Sequence, residues 1–106
     1  INLKNFRLTF RSKYRAADIE IKKNSIVPGG LFEISKSDEK KLDVYEDYPI
    51  LYKKYYFHYY GKKVMTYTMV NKSQFKFPTE RYLNIVKKGY SDCNLNKKYL
   101  IQALKF

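Results

Sequence analysis

From Asn5 to Phe10 the chain alternates, with Phe6, Leu8 and Phe10 on one side and polar residues on the other. A period of two is the signature of a half-buried strand. The stretch from Arg11 to Ala17 is polar and reads as loop, and Asp18 to Ile21 as a short extended piece. Val27-Pro28-Gly29-Gly30 has the composition of a turn. Leu31 to Ile34 follows as a short, nearly continuous apolar run, which predicts another strand.

The period then changes. Ser35 with Asp38 three residues on is a variant of the capping box, and Asp38 and Glu39 fall in the first turn, where the helix dipole favours acids. Leu42 and Tyr45, three apart, define the expected inner face of this helix. It should end before Pro49, because a residue preceding proline avoids helical geometry. Tyr52 to Tyr60 is dense in aromatics and predicts a strand. Val64 to Val70 predicts its return, through a turn at Gly61-Lys62. Pro78-Thr79 opens a second helix, with Tyr82, Leu83 and Val86 inward and Gly89 as its stop. Asn96 is the expected cap of a last helix, stapled by Leu95 onto Leu100, with Tyr99, Leu100, Ala103 and Leu104 as its apolar face. Strands, helix, hairpin and two helices in this order predict an α+β fold, not a doubly wound one.

The 106 residues suit one domain. Twelve Tyr and seven Phe supply large rings, which lets a short chain fill a core. No apolar run approaches the ~20 residues a membrane helix needs. The lone Cys93 leaves no internal disulfide and points to a reducing compartment, so the expected location is cytoplasmic, away from membranes. A first residue of Ile1 predicts a chain cut at its front.

The net charge is +12, from 22 Lys and Arg against 10 Asp and Glu. Such an excess attracts polyanions. The basic residues are nevertheless dispersed, and no nucleic-acid reading motif accompanies them, so a solvated Lys-rich surface is the expectation and nucleic acid is not an expected partner. The Tyr52–Tyr60 stretch could stack single-stranded bases, but alternation commits about half of its rings to the core.

Few residues offer chemistry. His58 is the only histidine, so a two-histidine metal site is excluded, and it sits among strand tyrosines. Cys93 has no base near it in sequence and is read as incidental. Neither a phosphate loop nor GxGxxG occurs. What remains is Leu42-Asp43-Val44-Tyr45-Glu46-Asp47-Tyr48-Pro49. Asp43 and Asp47, four apart, read as a solvated helix face. Glu46 follows Leu42 by one turn, which points it toward the buried side beside Tyr45 and Tyr48. Aromatic neighbours desolvate a carboxylate and raise its pKa, which suits it to proton transfer.

The whole series now resembles a known family. Leu8-Thr9-Phe10, Val27-Pro28-Gly29-Gly30-Leu31-Phe32-Glu33-Ile34 and Leu42-Asp43-x-Tyr45-Glu46-x-Tyr48-Pro49-x-x-Tyr52 come first. Tyr67-Thr68-Met69, Pro78-x-x-Arg81-Tyr82-Leu83, Gly89-Tyr90 and Leu95-x-x-x-Tyr99 follow in order. From about Asn5 to Leu104 the set resembles the gamma-glutamylcyclotransferase-like superfamily. The resemblance implies a small mixed β-barrel flanked by helices. It implies cleavage of a small-molecule gamma-glutamyl amide without metal or cofactor: the substrate's own α-amine attacks its γ-carbonyl, closing 5-oxoproline and expelling an amine or amino acid. It places the proton-transferring glutamate on Glu46, gives Tyr52 a part in shaping the substrate pocket, and allows a homodimer. The Tyr-Gly-Ser or Tyr-Gly-Thr loop with which family members open, and whose N–H groups hold the gamma-glutamyl moiety, has no counterpart, since Tyr60-Gly61 belongs to the hairpin. A single domain over 1–106 lacking its first strand and substrate loop is therefore expected. The alternatives are a catalytically inactive relative and a basic binding module for a polyanion.

Overall fold

A computed structural model describes residues 1–105. Its elements run β1 (Asn2–Thr9), β2 (Asp18–Pro28), α1 (Lys36–Tyr45), β3 (Tyr52–Tyr59), β4 (Lys62–Met69), α2 (Glu80–Asp92) and α3 (Lys98–Ala103). The fold is α+β, as its element order predicts. Its described strands form two separate two-stranded antiparallel sheets, β1-β2 and β3-β4, and do not close a barrel. The chain divides into two compact units, one of residues 1–31 with 72–105, the other of residues 32–71.

The first unit holds β1, β2, α2 and α3. Phe10, just past β1, is wholly buried and joins Leu83 and Tyr90 of α2 with Leu100 and Ala103 of α3 in one cluster. Leu8, Val86, Leu95 and Leu104 pack around it, so the inner faces expected of both helices are the ones used. A six-residue helix cannot persist alone, and α3 owes its place to burying Leu100 and Ala103. β2 is far longer than the extended piece expected, and takes in Val27 and Pro28. The polar run from Lys22 to Ser25 hides it. The register slips between Lys4 and Phe6, and Asn5 and Asn24 adopt left-handed backbone there, which Asn tolerates better than most residues. The Asn5 side chain accepts the Asn24 N–H at 3.1 Å, satisfying a group the slipped ladder leaves out. Beyond the slip, Arg7 and Arg11 both pair with Glu20. Burial opposes the charge on Glu20, but the two guanidiniums outweigh it and hold its carboxyl below the ordinary range. Asp18 has a fully buried side chain and pairs with Lys72.

Thr79 caps α2 by accepting the Tyr82 N–H. Gly89 does not end this helix; it lies inside it. Asn94 takes the left-handed position instead, its N–H bonding the Ser91 carbonyl and the Leu95 N–H bonding that of Tyr90. This is a Schellman motif, and Tyr90 and Leu95 both take part in the apolar cluster. Before α3, Asn96 accepts the Lys98 N–H, although Lys97 occupies the cap position itself.

The second unit holds α1, β3 and β4. The strand expected over Leu31–Ile34 does not form. Leu31, Phe32 and Ile34 are exposed coil, since no strand lies alongside to take their backbone groups. The hairpin forms as expected, with its turn one residue earlier. Tyr59 pairs with Lys62, leaving Tyr60 and Gly61 as a two-residue loop. Both have positive φ, 48° and 77°, as a type I′ turn requires. Ser35 caps α1 with the full capping box, exchanging bonds of 3.0 and 3.2 Å with Asp38. The helix buries no residue. Leu42 is 37% exposed but Tyr45 is 80% exposed, so of the pair read from their spacing only Leu42 is largely covered.

Candidate functional site

Glu46 sits where α1 ends, at its C-cap. Asp47 follows in left-handed conformation, φ 52°. The Asp47 N–H bonds the Val44 carbonyl at 3.2 Å, and the Tyr48 N–H bonds the Asp43 carbonyl at 2.8 Å. These two bonds make a second Schellman motif, and they, rather than Pro49, terminate the helix. Pro49 comes after the stop, joined to Tyr48 by a cis peptide bond. Further bonds from the Ile50 and Leu51 N–H groups to the Asp47 carbonyl close the turn that leads into β3. The N–H groups of Glu46, Asp47 and Tyr48 are thus all bonded within the turn, and the position at an element terminus agrees with expectation.

The Glu46 side chain is half-buried. Its carboxylate makes no hydrogen bond or ion pair among the described residues. Burial without a compensating partner favours the neutral acid, and desolvation pushes its pKa above the ordinary glutamate value of 4.5. A partly desolvated carboxyl with a raised pKa is a better proton acceptor than a solvated one.

Tyr52, the other residue singled out, opens β3 and is buried. Its ring meets that of Tyr67 edge to face at 6.4 Å. Tyr52 and Glu46 share the second unit, separated in sequence by the closed turn.

The sequence reading missed a polar cluster beside them. Asp43, assigned to a solvated face, is held on both oxygens. The Tyr67 hydroxyl donates to Oδ1 at 2.5 Å, and the Lys54 ammonium donates to Oδ2 at 3.0 Å. Lys54 also reaches Glu39 at 2.6 Å. Glu39 and Asp43 are one helical turn apart, so a single cation can serve both. Lys54 and Tyr67 are direct cross-strand partners and project from one rung of the hairpin onto the same helix face. The Tyr48 ring lies 4.4 Å from the ammonium, and meets Tyr67 edge to face at 6.5 Å. The Lys54 side chain is only 11% exposed. Donation from Tyr67 chiefly holds the Asp43 carboxyl below its usual range. Burial, then the hydrogen bond to Asp43, pushes the Tyr67 phenol up, and hydrogen bonding to Glu39, then to Asp43, does the same for Lys54. The signal was present in Glu39-x-x-x-Asp43, but which lysine and which tyrosine would answer it depends on the hairpin register.

His58 is exposed on β3, and Cys93 caps the end of α2. Among the described residues, no group of three His, Cys, Asp or Glu side chains gathers where a metal ion could be held, and no helix is long and apolar enough to cross a membrane. Comparison with protein-family models, with curated proteins and with solved structures finds no match for the chain.

Proposed function

We propose that the chain is a gamma-glutamylcyclotransferase-type domain, releasing 5-oxoproline and an amine or amino acid from a gamma-glutamyl amide, with Glu46 as the proton carrier. The observation that carries the reading is the place of Glu46: half-buried, without a hydrogen-bond or ion-pair partner among the described residues, and held at a helix end by a closed turn; burial there pushes its carboxyl above the ordinary value. An intramolecular attack of amine on carbonyl needs positioning and one proton shuttle more than a strong nucleophile. One carboxylate that removes a proton from the α-ammonium and returns it to the departing amine meets that need. The ordered resemblance from Asn5 to Leu104 puts the family's glutamate at the same position. Tyr52, buried at the start of β3, is the proposed wall of the substrate pocket.

The barrel that the resemblance implies is part of the proposal. It would need strands beyond the two hairpins, and the family's leading strand with its Tyr-Gly-Ser or Tyr-Gly-Thr loop is the element expected to supply them. The test is 5-oxoproline release from a panel of gamma-glutamyl amides and amino acids. It is run on this chain and on the chain carrying such a leading strand. Release that Glu46→Gln abolishes supports the reading. Release unchanged by Glu46→Gln refutes the assigned mechanism. No release from either form, together with salt-sensitive binding of polyanions, favours the basic binding module instead.

A further inference from the structure

We infer that Asp43, clamped by Tyr67 and Lys54, is the positioning residue that holds the Glu46 carboxyl in its half-buried place. The inference rests on the reading of Glu46 as proton carrier, and goes beyond it by assigning the residues that set its geometry.

The need for such a device follows from α1. No side chain of α1 is fully buried, so apolar contact alone holds the helix only weakly. Among the described residues, its hydrogen bonds and ion pairs to the hairpin all run through Glu39 and Asp43. Asp43 carries a second duty. Its carbonyl accepts the Tyr48 N–H, the longer-range bond of the Schellman motif around Glu46. One residue therefore ties the hairpin through its side chain and the Glu46 turn through its main chain. The rung formed by Lys54 and Tyr67 is a rigid reference, because antiparallel pairing continues on both sides of it. Tyr48, which donates that turn bond, is itself seated against Lys54 and Tyr67. The order of transmission is thus rung, Asp43, turn, Glu46. Displacement of a reacting group by about 1 Å can cost on the order of 100-fold in rate, so a clamp three residues away is close enough to matter.

Tyr67→Phe is the sharpest test, since it removes one hydroxyl and leaves the ring against Tyr48 and Tyr52. Asp43→Asn is the second variant, and Lys54→Arg is the conservative control that keeps the cation. Two readouts are taken. In the first, the Glu46 carboxyl is titrated by carbon-13 NMR in the full chain. The wild type and Lys54→Arg should titrate above 4.5, and Tyr67→Phe and Asp43→Asn should fall back toward the solvated value. In the second, 5-oxoproline release should show kcat lowered about tenfold or more with KM within about twofold, the pattern of a misplaced group rather than of lost substrate binding. A merely stabilising clamp would lower the melting temperature and leave both readouts unmoved in the folded protein. Unchanged Glu46 titration in both variants overturns the inference, whatever the activity does. Glu46→Gln retaining full release would instead overturn the function, and the titration would still decide the positioning.

Discussion

Phe10 has no exposed surface and touches residues of both α2 and α3. Phe32, in the run whose sequence predicts a strand, is 73% exposed. Phe10→Ala deletes a ring whose neighbours come from two helices that cannot both follow it inward. Truncation of a buried Phe costs about 3–5 kcal/mol, as lost transfer energy plus the cavity left behind. Total stability for a domain of this size is about 5–15 kcal/mol. At roughly 4–8 °C per kcal/mol, the melting temperature should drop by about 12 °C or more, to the edge of unfolding at 37 °C for a chain at the lower end. Phe10→Leu keeps most of the volume and should cost no more than about 1.5 kcal/mol. Phe32→Ala removes little that is covered and should stay within about 0.5 kcal/mol of wild type. Thermal melts followed by far-ultraviolet circular dichroism, with urea midpoints at constant m, measure all three. Equal losses for Phe10→Ala and Phe32→Ala would refute the burial assignment.

The raised Glu46 pKa has a definite sign in stability. Between 4.5 and the folded value the native state binds the extra proton, so this group's contribution falls as pH rises and stays low above it. Glu46→Gln should therefore raise the melting temperature at neutral pH, with the gain vanishing as pH drops below 4.5; a variant less stable at neutral pH would contradict the desolvation. At the hairpin tip, Gly61→Ala should cost about 1 kcal/mol, because a side chain resists φ of 77°. Tyr60→Asn should stabilise by a few tenths of a kcal/mol or more, as Asn-Gly is the preferred type I′ pair. Urea melts of the two variants moving in the same direction would dismiss the turn assignment.

The local elements were legible in the sequence because their causes are local. Ser35 and Asp38 close a capping box within one turn, Thr79 caps α2, and the alternation across Tyr52–Val70 sets a hairpin with only a one-residue error in its turn. The faces of α2 and α3 were legible too, since an apolar stripe at helical spacing has one place to go. Glu46 could be placed at a helix end from its neighbours alone. Three features depended on residues far apart. β2 extends through Lys22–Ser25 because β1 pairs across a slip that two left-handed asparagines absorb. Leu31–Ile34 stays coil because apolar composition makes a strand only where another strand offers its backbone. Asp43 is a clamped residue rather than a solvated one because hairpin register puts Lys54 opposite Tyr67 and aims both at α1. Spacing along a chain fixes which side chains share a face; only the tertiary structure decides which partner meets that face, and with it whether a carboxylate is solvated, paired or, like that of Glu46, half-buried with no partner among the described residues.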